Sequence, residues 1–309
     1  MRAEQRSGLL SAILAFTIWG LFPVYWKLLG AVPADEILAH RILWSFVFMR
    51  LLVAALGMSA GFRADLRELR GQREKFLLVA AAAVLISANW FIFIWAVNKG
   101  RVLETSLGYY INPLVNVLLG VIFLRERMNL WQKFAIFLAA LGVGNLAARF
   151  GAALWISLGL AFSMGLYGLC KKKAGMNAFI SITIETLLLA PLAALYLGSL
   201  YCRGEGFWPD LSLTSLLLLS GGAVTAAPLI LFANGANKLP LSTLGMTQYV
   251  CPTLTFLLGT VIYSEPFTDA HIVSFALIWL ALAVFSLSGR LPGKERAPGH
   301  NRPSSGTGA

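Results

Sequence analysis

Long apolar runs separated by short polar breaks dominate this 309-residue sequence. The runs are continuous, whereas membrane-spanning strands would be shorter and would alternate between apolar and polar residues. Because a helix needs about 20 apolar residues to cross the hydrocarbon core, the pattern predicts an all-α polytopic membrane protein with ten transmembrane helices. The predicted spans are 8–29, 37–58, 76–98, 102–124, 130–148, 152–170, 178–198, 213–233, 239–263 and 270–288.

The chain also carries an internal repeat at a fixed offset of 139 residues. Identical residues at this offset are Asn98/Asn237, Lys99/Lys238, Tyr110/Tyr249, Pro113/Pro252, Leu118/Leu257, Leu119/Leu258, Gly120/Gly259 and Glu126/Glu265. The duplication predicts one five-helix repeat over 1–149 and a second over 150–289. Residues 290–309 are rich in Pro, Gly, Ser and Arg and are predicted to form a disordered cytoplasmic tail. Because five is odd, the second repeat must enter the membrane from the opposite side, which is the inverted arrangement of many secondary transporters.

Composition supports a membrane location and changes the interpretation of the charge. Hydrophobic residues make up 58% of the chain, charged residues 13%, and the mean hydropathy is +0.74. A soluble domain has about a quarter of its residues charged, and this chain has too few polar residues to cover a surface in water. The lipid bilayer is therefore a predicted partner. The net charge of +11 lies in short clusters between apolar runs, which is typical of cytoplasmic loops. We therefore expect no nucleic-acid partner.

Lysine and arginine also predict the orientation. Of the 25 such residues, 17 lie on the side of the N-terminus, four on the opposite side and four within or at the ends of spans. Positive residues concentrate on the cytoplasmic side, so both termini are predicted to be cytoplasmic. The first run is too long for a signal-peptide core and is interpreted as a retained anchor.

The two repeats share a mid-helix proline, a glycine seven residues later and a terminal glutamate. These residues are Pro113, Gly120 and Glu126 in the first repeat and Pro252, Gly259 and Glu265 in the second. With them the chain resembles the EamA family of the drug/metabolite transporter superfamily, and segments 19–27, 36–45, 108–116 and 240–252 resemble its RarD-type branch. The resemblance implies a bacterial inner-membrane permease whose fifth and tenth helices lie outside the substrate cavity. It also implies an association with chloramphenicol sensitivity.

Two ionisable residues inside predicted spans are candidates for function, because burying charge in a membrane is unfavourable. Arg41 lies near the start of the second span, where it could extend to the interface or serve a site that also includes His40, Trp44 and Ser45. Glu185 lies deeper. It could pair with Arg41, carry a proton as the coupling group, or hold helices together as a neutral carboxyl.

Polar and aromatic residues around the two repeated prolines predict a substrate site. Pro113 and Pro252 each remove a helical hydrogen bond and are predicted hinges. The predicted substrate-binding residues are Trp19, Arg41, Asn89, Trp90, Tyr109, Tyr110, Asn112, Asn116, Tyr167, Gln248 and Tyr249. The alternative is that the prolines shape packing and the asparagines join helices. Tyr25 and Trp26 are interpreted as interfacial residues, and Glu126 and Glu265 as structural.

These features favour a secondary transporter that moves a small amphipathic or amino-acid-like solute outward, driven by a proton or solute gradient. No Walker A sequence, His-Glu-x-x-His or Gly-x-Ser-x-Gly motif is present, which argues against nucleotide hydrolysis and an intramembrane enzyme. The three histidines are scattered, so no metal and no cofactor are expected. A non-transporting scaffold is the third hypothesis. Glycines at 142, 144, 165 and 168 allow close helix contacts within the chain or in a homodimer.

Overall fold

The computed structural model describes residues 3–124, 128–150, 154–207, 212–238 and 247–288. Within these ranges the chain is helical and has no strand, which confirms the all-α prediction. The helices are α1 (Ala3–Gly20), α2 (Phe22–Leu28), α3 (Ala34–Ala55), α4 (Ser59–Gly71), α5 (Arg73–Asn98), α6 (Val102–Leu124), α7 (Leu130–Phe150), α8 (Leu154–Ala174), α9 (Ala178–Arg203), α10 (Leu213–Lys238), α11 (Val250–Leu257) and α12 (Asp269–Ser288). A π-helical turn, Leu258–Ile262, continues α11. The predicted tail, Glu126 and the first part of the ninth predicted span lie outside the described residues.

Seven helices in the described part of the chain are long and apolar enough to cross a membrane. They are Glu4–Leu28, Ala34–Ala55, Arg73–Asn98, Val102–Phe123, Leu154–Ala174, Ala178–Arg203 and Leu213–Phe232, and two shorter apolar helices are Val250–Ile262 and Asp269–Phe285. Large apolar side chains such as Leu195, Leu213 and Val261 are exposed on the outer faces of the helices, where a bilayer would cover them. The chain is therefore a multi-pass membrane protein.

Local sequence explains where several helices begin and end. The first predicted span is divided, because α1 ends at Gly20 and α2 begins at Phe22 with Pro23 in its first turn. Proline fits there since its missing N–H has no partner in a first helical turn. The side chain of Asn177 accepts hydrogen bonds from the first N–H groups of α9, and Gly204 ends that helix with a φ of 70°.

The helix α4 accounts for the basic segment between the second and third spans. Its buried side chains are Phe62 and Leu69, whereas Arg63 and Arg67 are exposed. This amphipathic pattern is typical of a helix that lies along a membrane surface.

Close contacts between helix backbones bring the first and second halves of the chain together. A Cβ atom on Gly222 would lie 2.3 Å from the carbonyl oxygen of Trp44, so α10 rests directly on α3. Gly142 similarly meets α12, where a Cβ would lie 3.0 Å from the carbonyl oxygen of Ser274. These small residues therefore serve contacts within the chain.

Glu265 joins the segment after the π-helical turn to the start of α6. Its two carboxylate oxygens accept hydrogen bonds from the backbone N–H groups of Val102 and Leu103, at 2.7 and 2.8 Å. A carboxylate is favourable there because the N-terminus of a helix carries partial positive charge. Burial nevertheless raises the pKa of Glu265 above its usual range, and the two N–H groups partly oppose that shift.

Candidate functional site

Arg41 is buried inside the helix bundle and does not extend to the surface. The residue is 4% exposed, and its guanidinium carbon lies 4.0 Å from the ring centre of Trp90 and 4.9 Å from that of Trp26. Its Nε donates a hydrogen bond to Thr225 Oγ1 at 3.3 Å. Arg41 therefore connects α3 with α2, α5 and α10, and its guanidinium contacts two indole rings.

Trp26 differs from its predicted interfacial position. It is only 1% exposed and lies against Arg41. Its neighbour Tyr25 donates a hydrogen bond to the carbonyl oxygen of Leu217 and lies 2.9 Å from Ser220 Oγ. Tyr25 thus faces α10, and Trp26 faces the interior of the helix bundle.

Asn89 holds three helices together beside Arg41. Its amide nitrogen donates to the carbonyl oxygen of Leu160 at 3.1 Å and to Ser163 Oγ at 3.0 Å. Its amide oxygen accepts a hydrogen bond from the hydroxyl of Tyr109 at 3.3 Å. Tyr109 also lies near Arg41. We call Arg41, Asn89, Trp90, Tyr109 and Thr225 the central cluster.

Glu185 belongs to a different group, because its ionic partner is Lys171 and not Arg41. The glutamate is 1% exposed, and its carboxylate lies 2.9 Å from Lys171 Nζ. The hydroxyls of Tyr167 and Ser181 donate to the same carboxylate at 3.0 and 2.5 Å. The Arg41–Glu185 pair that the sequence left open is therefore not formed. We call Glu185, Lys171, Tyr167 and Ser181 the Glu185 cluster.

The predicted residues of α6 point to different neighbours. The Tyr110 hydroxyl lies 2.7 Å from Thr253 Oγ1 of α11, and its ring packs against Phe275 of α12. Asn112 donates to the carbonyl oxygen of Ala161 at 3.3 Å and accepts from the Asn116 amide at 2.9 Å. Tyr110 thus faces α11 and α12, whereas Tyr109 faces Asn89 on α5. Asn112 joins α6 to α8.

The remaining predicted residues lie around the ends of α1 and α11. Trp19 packs against Phe16 and Phe232, and its ring centre lies 5.3 and 5.8 Å from theirs. Gln248 and Tyr249 are half-buried in the turn before α11, and Tyr249 packs against the apolar core that contains Tyr110. The structure therefore does not gather every predicted residue into one cluster.

The two predicted hinges have different settings. Pro113 lies within the continuous helix α6. Pro252 is the third residue of α11 and accepts a hydrogen bond at its carbonyl oxygen from the Ser106 hydroxyl at 2.8 Å. A first-turn proline costs no internal hydrogen bond, so Pro252 joins α11 to α6 without interrupting the described helix.

The two clusters combine hydrogen-bond donors and acceptors with aromatic rings. Among the described residues, no three or more His, Cys, Asp or Glu side chains come close enough to hold a metal ion. Membrane-length helices around a buried arginine, amide and phenol define a multi-pass membrane protein with an internal polar site.

Comparison with known proteins identifies its family. The EamA-like transporter family matches residues 6–146. The chain is 48% identical to Protein RarD of Salmonella typhi, over 92% of this chain and 96% of that protein. It is 45% identical to the "Uncharacterized transporter YojE" of Bacillus subtilis, over 93% and 95% of the two chains. The chain belongs to the EamA-like transporter family and, within it, to the RarD-type proteins.

Two further comparisons agree with this result. A "Chloramphenicol-sensitive protein RarD" of Pseudomonas aeruginosa is 31% identical over 89% of this chain and 92% of its own. A solved crystal structure that is 19% identical matches with a TM-score of 0.59, over 92% of this chain and 99% of that one. At that identity the structure supports the fold alone. The transporter relatives support the class of membrane transporter, which fits a non-enzyme.

Proposed function

We propose that the protein is a secondary transporter that moves a small amphipathic drug or metabolite across the bacterial inner membrane by alternating access. The central cluster carries this proposal. Arg41, Asn89, Trp90 and Tyr109 come from the first half of the chain, and Thr225 comes from the second. A site that both halves build can open to either side when the halves move relative to each other.

The packing of the helices supports two inverted five-helix repeats. In this correspondence α1 and α2 together match α8, and α3, α5, α6 and α7 match α9, α10, α11 and α12 in that order. The contact of α1 with α10 then corresponds to the contact of α8 with α5, and both pairs of helices pack extensively. The α1–α11 and α3–α10 contacts likewise correspond to the α8–α6 and α9–α5 contacts. Pairs α3–α9, α6–α11 and α7–α12 each correspond to themselves. The α8–α6 and α3–α10 contacts are more extensive than their counterparts, and among the described helices the α3–α5 contact has no extensive counterpart between α9 and α10.

Glu185 is the proposed coupling group. A proton on this carboxylate would remove its charge attraction to Lys171, which is 21% exposed and could turn toward water. Proton binding would therefore change the contact between α8 and α9, both of which pack against helices of the first half. We propose that this step drives solute outward, with both termini in the cytoplasm.

Flux in liposomes tests the proposal. Purified protein would be reconstituted and assayed with labelled amino acids, aromatic metabolites and chloramphenicol, with and without a proton gradient. Chloramphenicol enters the panel because the name of one relative refers to it. We expect flux of at least one solute, and a dependence on the proton gradient that Glu185→Gln removes.

A matched pair of variants separates the site from general packing. Asn89 and Asn145 each donate to one backbone carbonyl and one serine hydroxyl, but Asn145 does so between α7 and α12, outside the central cluster. We expect Asn89→Ala to abolish flux and Asn145→Ala to retain it. Equal flux in both variants would reject the central cluster as the site, and no flux of any solute from folded protein would favour a scaffold.

A further inference from the structure

We infer that the transported solute is a small organic carboxylate that binds Arg41 as its counter-ion. This inference rests on the proposed function, because it assigns a substrate class to the central cluster. The observation behind it is a buried guanidinium without a carboxylate partner. Among the described residues, no carboxylate oxygen of an Asp or Glu lies within 4.0 Å of an Arg41 side-chain nitrogen.

The buried carboxylates of Glu185 and Glu36 already have hydrogen-bond donors elsewhere. Glu185 is held by Lys171, and Glu36, on the same helix as Arg41, accepts a hydrogen bond from the backbone N–H of Phe207 at 2.7 Å. Tyr25 and Tyr109 are ionisable side chains near Arg41, and a phenol is neutral near pH 7. Because a buried charge needs compensation, an anionic solute would supply what the described residues do not.

The geometry of Arg41 suits a carboxylate in particular. Its Nε is occupied by Thr225, and among the described residues neither Nη atom has a hydrogen-bond partner. Two parallel N–H groups of a guanidinium match the two oxygens of a carboxylate. The rings of Trp90 and Trp26 lie against the guanidinium and hold it in place by cation–π contact. An organic monoanion therefore fits better than a cation or a neutral amide.

Three probes of similar shape test the charge requirement. Phenylacetate, phenylacetamide and 2-phenylethylamine would be compared by equilibrium binding to the purified protein in nanodiscs. We expect phenylacetate to bind about tenfold more tightly than the amide, as a charge-assisted bidentate contact allows, and the amine to bind most weakly. This comparison uses the wild-type chain and does not depend on the folding of any variant.

Arg41→Gln should reduce the affinity for phenylacetate to that for phenylacetamide while leaving the amide unchanged. Arg41→Lys should give an intermediate value, because it keeps the charge and loses the paired N–H groups. Arg50→Gln is the control. Arg50 lies on the same helix as Arg41, but its guanidinium carbon lies 5.3 Å from the ring centre of Phe62 on α4, outside the central cluster. It should leave the preference for phenylacetate intact.

Equal affinity for acid and amide, no binding of phenylacetate, or a preference that survives Arg41→Gln would overturn the inference. The same probes in liposomes separate it from the proposed function. Binding of phenylacetate that depends on Arg41 without flux would support the anion site and count against transport. Flux that does not distinguish acid from amide would support transport and overturn the anion site.

Discussion

Removal of the ammonium group of Lys171 should destabilise the protein more than removal of the charge on Glu185. The carboxylate is 1% exposed, whereas the lysine side chain is 21% exposed. In Lys171→Met the carboxylate stays buried without its cation. In Glu185→Gln the ammonium can move toward water, and the amide can still accept a hydrogen bond from Tyr167 or Ser181.

The structure also sets the magnitudes. Breaking a fully buried ion pair costs about 3–5 kcal/mol when one charge remains buried. Because Lys171 is partly exposed and two hydroxyls still donate to the carboxylate, we expect Lys171→Met to lower the free energy of unfolding by about 2 kcal/mol. For Glu185→Gln we expect about 1 kcal/mol, the scale of one hydrogen bond. The double variant should lose about 1 kcal/mol less than the sum of the single losses.

A double-variant cycle measured by reversible unfolding in mixed micelles would test these values. Lys173→Met is the control, because Lys173 lies two residues away on α8, is exposed and contacts the ring of Phe123 at 5.9 Å. Additive losses in the cycle, or equal losses for Lys171→Met and Lys173→Met, would refute the ion pair as the stabilising contact.

Two further substitutions test how the helices are held. Gly222→Ala should strongly lower the melting temperature, because the new Cβ would lie 2.3 Å from the carbonyl oxygen of Trp44. Gly221→Ala is the control and should leave the melting temperature nearly unchanged, because its Cβ would lie 3.8 Å from the nearest atom. Equal melting temperatures of the two variants would contradict the α3–α10 contact. Since burial raises the folded-state pKa of Glu265, protonation favours folding. Unfolding measured from pH 7 down to 4.5 should show wild type gaining stability relative to Glu265→Gln, and a constant difference would count against this titration.

Much of the fold could be predicted because apolar length is set by the bilayer and not by distant contacts. All ten predicted spans overlap described helices. The ends were less predictable, since they depend on local details. Polarity placed Lys171 in a loop after a span that ended at residue 170, but α8 continues to Ala174. That extension brings Lys171 beside Glu185, and it explains why the sequence suggested Arg41 as the partner instead.

The central cluster was only partly predictable. Arg41, Asn89, Trp90 and Tyr109 were identified because each is polar or aromatic within an apolar run. Successive helical residues point about 100° apart, so the separation of Tyr110 from Tyr109 could have been deduced from their adjacency.

Some neighbours of the cluster had no local signal. Thr225 contacts Arg41 across 184 residues of sequence. Trp26 lies near the end of an apolar run, as interfacial residues do, and the sequence alone does not show that it is buried against Arg41. Such contacts depend on how distant helices pack, which the pattern of one chain does not specify.

Alternating access requires that the central cluster be reachable from both sides of the membrane, and cysteine labelling measures this directly. Ser163, whose hydroxyl accepts a hydrogen bond from Asn89 at 3.0 Å, would be replaced by cysteine in a chain whose cysteines at 170, 202 and 251 are replaced. Impermeant thiol reagents would then be applied to each side of oriented vesicles. Alternating access predicts labelling from either side, with phenylacetate slowing both reactions. Labelling from one side only, under every condition, would contradict alternating access at the central cluster.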